Sequence, residues 1–202
     1  MKQFWDDRYA AEEYVYGKEP NRFFQAKLLD LKPGKALFPA EGEGRNSVFA
    51  AENGWEVYAF DISDSGKKKA ERLAAERNVT IHYQVGTLEQ MNFEAESFDL
   101  LVLIFAHFPG EVRHSLHQNL LRLLKPGGTL ILEAFSKEHL KYNSINPKAG
   151  GPKDVNMLFS KEELDRDFGQ LDWLYFEKTV TEMMEGDFHL GLSSVIRLVA
   201  RK

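Results

Sequence analysis

The sequence predicts an α/β fold: a doubly wound, mostly parallel seven-stranded sheet whose last two strands form an antiparallel hairpin. Three observations predict it. Apolar segments of strand length alternate with amphipathic segments of helix length from Lys35 to Ala134, with short turns between them. A Gly-rich turn, Ala40-Glu41-Gly42-Glu43-Gly44-Arg45-Asn46, joins the first strand to the helix after it. Two extended segments near the C-terminus have no helix between them, so they pair antiparallel.

The elements follow in order. Residues 1–20 form an aromatic, charged arm, and Asn21 to Leu31 reads as a short helix ended by Pro33-Gly34. Lys35 to Phe38 is the first strand. The turn after it opens a helix from Ser47 to Asn53, and the second strand, Trp55 to Phe60, ends in Asp61. Asp64 to Arg77 has helical periodicity, Val79 to Val85 is strand three, and Phe98 to Phe105 is strand four. Pro109 and Gly110 precede a long amphipathic helix with Val112, Leu116, Leu120, Leu121, Leu123 and Leu124 on its apolar side. Lys125-Pro126-Gly127-Gly128 stops that helix, and Thr129 to Ala134 is strand five. Ser160-x-x-Glu163 is a capping box that opens one more helix. The hairpin strands are Asp172 to Glu182 and Leu192 to Ala200. The 202 residues suit one domain, 1–202, with 1–20 as its arm or lid.

Composition narrows function by exclusion. A net charge of −5 gives no general electrostatic reason to bind nucleic acid or an anionic membrane. With no cysteine, disulfides, zinc–thiolate sites and thiol nucleophiles are ruled out. No apolar run spans a bilayer, the N-terminus lacks a signal-peptide core, and the expected compartment is the cytoplasm. His114-x-x-His117 sets two imidazoles on one helical face but has no third ligand nearby in sequence, so it reads as an exposed face. Lys67-Lys68-Lys69 reads as a solvated helix end.

The turn carries the chemistry. Glycines let the backbone approach a nucleoside-bearing cofactor and leave helix N–H groups pointing at it. Asp61, seventeen residues after Gly44, can accept both ribose hydroxyls. Gly42-x-Gly44-x-x-Ser47 departs from a nicotinamide fingerprint at its third position, and the C-terminal hairpin fits that fold poorly.

Together with Phe4-Trp5-Asp6-Asp7-Arg8-Tyr9, Tyr16-Gly17, Pro20-Asn21, Asp61-Ile62-Ser63, Ser97-Phe98-Asp99-Leu100-Leu101-Val102 and Leu124-Lys125-Pro126-Gly127-Gly128, this turn resembles the class I S-adenosylmethionine-dependent methyltransferases. The resemblance is nearest to the small-molecule tellurite-resistance/thiopurine type and covers nearly the whole chain. It implies a sheet order of 3-2-1-4-5-7-6, with S-adenosyl-L-methionine across the C-terminal ends of strands one, two and four. It implies cofactor contacts from Ala40, Gly42, Gly44, Arg45, Asn46, Asp61 and Ile62. Thr87, Leu88 and Ile104 complete the implied set. Three positions depart from the family: Phe38 replaces an acid, Ala40 a glycine and Thr87 a frequent acid. Ala40 is tolerable if it avoids positive φ, and Glu41 is a candidate to compensate for Phe38.

The implied reaction is in-line methyl transfer to a small-molecule acceptor, in which positioning and desolvation supply much of the acceleration. The acceptor side is expected just beyond strand four, where His107 is the candidate to orient the acceptor or take its proton. Tyr9 and Tyr16 from the arm, and Glu185 and His189 from the hairpin loop, are further candidate substrate contacts. Gly150-Gly151-Pro152 approaches from another side. Two alternatives stay open: methylation of protein or nucleic acid, and a non-catalytic binder of the cofactor or its demethylated product. Acceptor identity and oligomeric state are open too.

Overall fold

The structure, a computed structural model, describes residues 1–202. Seven strands form one sheet: β1 (Lys35–Pro39), β2 (Glu56–Asp61), β3 (His82–Val85), β4 (Phe98–Ile104), β5 (Leu124–Phe135), β6 (Asp172–Glu185) and β7 (His189–Arg201). Their order is β3-β2-β1-β4-β5-β7-β6. Pairings from β3 through β5 are parallel, and β7 is antiparallel to both β5 and β6. The expected order and the closing hairpin are both present. The chain starts mid-sheet at β1, winds out to β3, then crosses to β4 on the other side. That reversal opens a crevice above the C-terminal ends of β1 and β4.

Both faces of the sheet are covered, so its strands are apolar on both sides. In β4, Leu101 and Leu103 enter one core cluster while Leu100 and Val102 enter the other. The first cluster lies under α5 (Gly110–Leu123) and α7 (Lys161–Phe168), with Leu120 and Phe168 fully buried. The second receives Phe24 and Leu28 from α2 (Arg22–Leu28) and Ala50 from α3 (Arg45–Glu52). Phe38 belongs to it: its ring is fully buried and meets Phe24 edge-on at 5.7 Å. The aromatic ring that stands in for the family's acid is therefore a core residue.

Several boundaries differ from expectation, each for a local reason. The arm contains a helix, α1 (Lys2–Arg8). Asn21 caps α2 by accepting the Phe24 N–H, and the helix ends at Leu28, three residues early. α3 starts at Arg45, two residues early, because Gly44 takes a left-handed φ of 87°. β3 starts at His82 rather than Val79; Asn78 holds a φ of 57°, and Tyr58 of β2 first finds its partner at His82. Lys125-Pro126-Gly127-Gly128 is a bulge inside β5, where the register slips between Phe98↔Leu124 and Leu100↔Thr129. The hairpin is longer than expected, leaving Gly186-Asp187-Phe188 as its tip.

Two surface readings are corrected. His117 is fully buried, not on an exposed face. Its Nδ1 lies 2.8 Å from Asp167 Oδ2, and His114 Nδ1 lies 2.7 Å from Oδ1, so one carboxylate of α7 clasps both rings of α5. Lys69 is also buried, on the inward face of α4 (Asp64–Glu76) with Gly66 and Leu73.

Candidate active site

The Gly-rich turn is built around three left-handed residues: Ala40 (φ 52°), Gly42 (63°) and Gly44 (87°). Ala40 does not avoid positive φ, contrary to the condition set by the sequence, so its methyl group is strained. Gly44 is required by packing, since a Cβ there would lie 2.5 Å from the Ala70 side chain of α4. At Gly42 a Cβ would come within 2.7 Å of the Tyr9 hydroxyl. The two glutamates of the turn have separate tasks. Glu41 accepts the N–H groups of Asn46 (3.1 Å) and Ser47 (2.7 Å), satisfying the start of α3. Burial outweighs those bonds and pushes its carboxyl up to about 7.

Glu43, unremarked in the sequence, straps down the arm. Its carboxylate accepts from the Val15 (3.1 Å) and Tyr16 (3.3 Å) amides and pairs with Lys69 Nζ at 2.8 Å. Lys69 also donates to the Glu13 carbonyl at 2.6 Å. At the other end of the arm, Asp6 accepts from the Ser63 hydroxyl (2.7 Å) and Ser65 amide (3.2 Å) at the start of α4. Tyr9 is buried, stacked on Trp5. Residues 1–20 thus lie across the turn. The one available sequence signal was the spacing Gly66, Lys69, Leu73, which sets Lys69 on the buried stripe.

Asp61 ends β2 within the same cluster. Its two oxygens accept from the Gly42 (3.1 Å) and Ser63 (2.9 Å) amides, and burial raises its pKa. Tyr83 donates to the Gly42 carbonyl at 2.7 Å. Ala40, Gly42, Gly44, Asp61 and Ile62 therefore converge at the C-terminal ends of β1 and β2. Thr87 and Leu88 flank them in a short turn after β3, where the Thr87 amide donates to the Gln90 side chain at 2.9 Å. Ile104 ends β4 against the second core cluster.

Arg45 and Asn46 point elsewhere than at the turn. Asn46 Oδ1 accepts the Asn21 amide at 2.9 Å. Arg45 pairs with Glu185 at 2.7 Å, and Glu185 also accepts from Asn21 Nδ2 at 3.0 Å. Asn21 reaches on to Glu133, which is buried against Arg197 at 2.8 Å. Asn21, Glu133 and Arg197 escaped the sequence because they come together from three distant elements.

Beyond β4, Phe105 holds a φ of 52°, a strained conformation for a bulky residue. His107 follows with both ring nitrogens engaged: Nδ1 donates to the Met157 carbonyl (2.8 Å) and Nε2 accepts the Phe135 amide (3.3 Å). Burial pushes its pKa down to about 3, so the ring is neutral and, as bonded here, has no free nitrogen for an acceptor. His189 lies nearby, with its ring 4.5 Å from those of Tyr16 and Phe105. Its Nδ1 is 3.4 Å from Glu185 Oε2. Burial works against ionisation of Glu185, but Arg45 and His189 outweigh it and hold the carboxylate at about 2. Gly150 packs onto the hairpin tip; a Cβ on it would meet the Phe188 carbonyl at 1.8 Å.

The donor set fits a nucleoside bearing a diol and a polar tail. Tyr9 lies against Gly42 and Ala70 against Gly44, and the Asp61 carboxylate sits at the edge of the turn.

Residues 39–128 match the family model described as a methyltransferase domain. A ubiquinone biosynthesis O-methyltransferase of Haemophilus ducreyi is 30% identical over 146 residues, 68% of this chain and 61% of that one. A ubiquinone/menaquinone biosynthesis C-methyltransferase of Pasteurella multocida is 31% identical over 61% of this chain and 48% of its own length. The chain thus spans less than two thirds of these curated relatives. Among solved structures, TehB from Haemophilus influenzae superposes with a TM-score of 0.72 at 16% identity, over 100% of this chain and 66% of that one. Magnesium protoporphyrin IX methyltransferase from Synechocystis, with bound SAH, gives 0.71 at 18% identity over 100% and 97%. Sheet order, glycine turn and closing hairpin together give this chain the fold of the class I methyltransferases.

Proposed function

We propose that the chain is an S-adenosylmethionine-dependent methyltransferase acting on a small-molecule acceptor. The observation that carries this reading is the glycine turn at the sheet reversal, with the Asp61 carboxylate bonded to the Gly42 amide at its mouth. Asp61 would accept the ribose hydroxyls, the backbone of the Gly42–Gly44 turn would lie against the cofactor, and Ile62, Leu88 and Ile104 would wall its base. Ala40 and Thr87 would contribute backbone contacts. Bound S-adenosylmethionine supplies an activated methyl group on a sulfonium.

The chain's own part is to hold, enclose and dry the site. Tyr9 covers Gly42 and Tyr16 covers His189, so the arm excludes water from both halves of the crevice. His107, tied at both nitrogens, would position Phe135 and the loop at Met157 around the acceptor. Relatives named for ubiquinone biosynthesis and for magnesium protoporphyrin IX support a small acceptor. The likeness to TehB over the whole chain, with Gly42-Glu43-Gly44-Arg45-Asn46, supports the tellurite-resistance/thiopurine type.

Calorimetric titration with S-adenosylmethionine, S-adenosylhomocysteine and NAD tests the reading. Micromolar binding of both adenosyl compounds with NAD silent is expected. Binding of neither would overturn it.

A further inference from the structure

Three histidines surround the Phe135 ring, and they are not equivalent. His107 is tied at both nitrogens. So is His139, whose Nε2 donates to the Gly150 carbonyl (3.0 Å) while Nδ1 accepts the Ser194 amide (3.3 Å). His189 has only the Glu185 contact at Nδ1, and its Nε2 has no protein partner. His117 Nε2 also lacks a partner but is sealed between helices; that of His189 is not. Arg45 keeps Glu185 ionised, the carboxylate takes Nδ1–H, and that tautomer leaves the Nε2 lone pair available. Around it stand the rings of Tyr16 and Phe105 at 4.5 Å and of Phe135 at 5.1 Å.

We propose that Glu185 and His189 form a proton-accepting dyad, and that the methyl acceptor is a flat aromatic hydroxyl compound, a phenol or catechol. The proposal rests on the methyltransferase reading above and deepens it. The acceptor's O–H bond breaks, its proton goes to His189 Nε2, and the electron pair stays on the oxygen. Glu185 holds the resulting imidazolium, and the proton later leaves to solvent. Burial and the charges of Arg45 and Arg8 lower the His189 pKa while Glu185 raises it, so the ring starts neutral, as a base must. The Tyr16 hydroxyl and the rings of His107 and His139 are the other titratable groups around it. Of the two nearby cations, Arg45 is paired with Glu185, and Arg8 stacks on Phe4 and Phe188.

4-Nitrophenol tests this directly, because its colour reports its own ionisation. It is titrated into protein saturated with S-adenosylhomocysteine, across the pH range in which the free phenol ionises. Bound to wild type it is expected to ionise at lower pH than when bound to His189→Gln. With S-adenosylmethionine and catechol, His189→Gln should lose about 100-fold or more in kcat. Its S-adenosylhomocysteine affinity should stay within about twofold, which also reports its folding. If that variant fails to bind the nucleoside, Glu185→Gln decides by the same spectrum. Equal ionisation in wild type and variant overturns the dyad and leaves the cofactor reading standing. Failure of both phenols to bind overturns the acceptor class. Failure of wild type to bind S-adenosylhomocysteine overturns the reading beneath both.

Discussion

Ala40 carries a methyl group into a left-handed turn that a glycine would occupy without strain. Ala40→Gly should therefore raise stability by about 1 kcal/mol, measured by urea unfolding; a loss would show that the methyl group packs well enough to offset its backbone. Asp61→Ala should weaken S-adenosylhomocysteine binding by about 1–3 kcal/mol, and unchanged affinity in calorimetry removes its ribose contact. Glu41 gives a pH signature. Its folded pKa of about 7 lies above the ordinary 4.5, so between these values the folded chain keeps a proton that the unfolded chain has released. Its contribution is present below about pH 4.5 and is lost as pH rises through about 7. Glu41→Gln keeps an acceptor for the Asn46 and Ser47 amides and should flatten that decline in melting temperature. An unchanged profile would assign the decline to another group. At this scale the sequence was legible where chemistry is local. Asp61 could be placed from one strand and one turn; Glu43 and Asn21 could not, because their partners lie in other elements.

At the scale of elements, α5 and α7 are joined by two carboxylates: Glu163 pairs with Arg113 at 3.0 Å, and Asp167 takes both histidines. Asp167 is fully buried between His117 and His114, and His117, Arg166 and His114 hold it well below the usual carboxylate range against the opposing cost of burial. Asp167→Ala should cost about 3–5 kcal/mol in unfolding free energy, since it strands a buried imidazole beside Arg113. A loss below 1 kcal/mol would mean that apolar contacts and the Arg113–Glu163 pair suffice to hold the helices. The pair His114-x-x-His117 gave spacing but not burial, because the carboxylate that takes it inward comes fifty residues later. Element boundaries failed in the same way. β3 begins where Tyr58 of β2 finds its partner and β5 begins opposite the first residue of β4, and pairing is not written in either strand alone.

Across the whole molecule, the sheet order was readable because alternation, crossover and closing hairpin leave few topologies once the turn is recognised. The acceptor box was only half readable. His189, Glu185 and Tyr16 stood out by type, while the freedom of one histidine nitrogen and the tethering of another depend on Met157, Phe135 and Gly150. Ligand linkage should appear globally. S-adenosylhomocysteine at about a hundred times its Kd should stabilise the fold by about 2.7 kcal/mol, raising the melting temperature by roughly 5–10 °C. A melt indifferent to the nucleoside would contradict the assigned site.

The arm touches three sequence-distant regions: α4 through Asp6, the turn through Glu43, and the hairpin tip, where the Asp187 amide donates to the Val15 carbonyl at 3.1 Å. On the proposed reading, cofactor and acceptor would share one door. Spent nucleoside and methylated product would wait for the same opening, so turnover would keep time with the arm rather than with bond making. Added viscogen should then slow kcat in proportion for good acceptors and leave poor ones untouched.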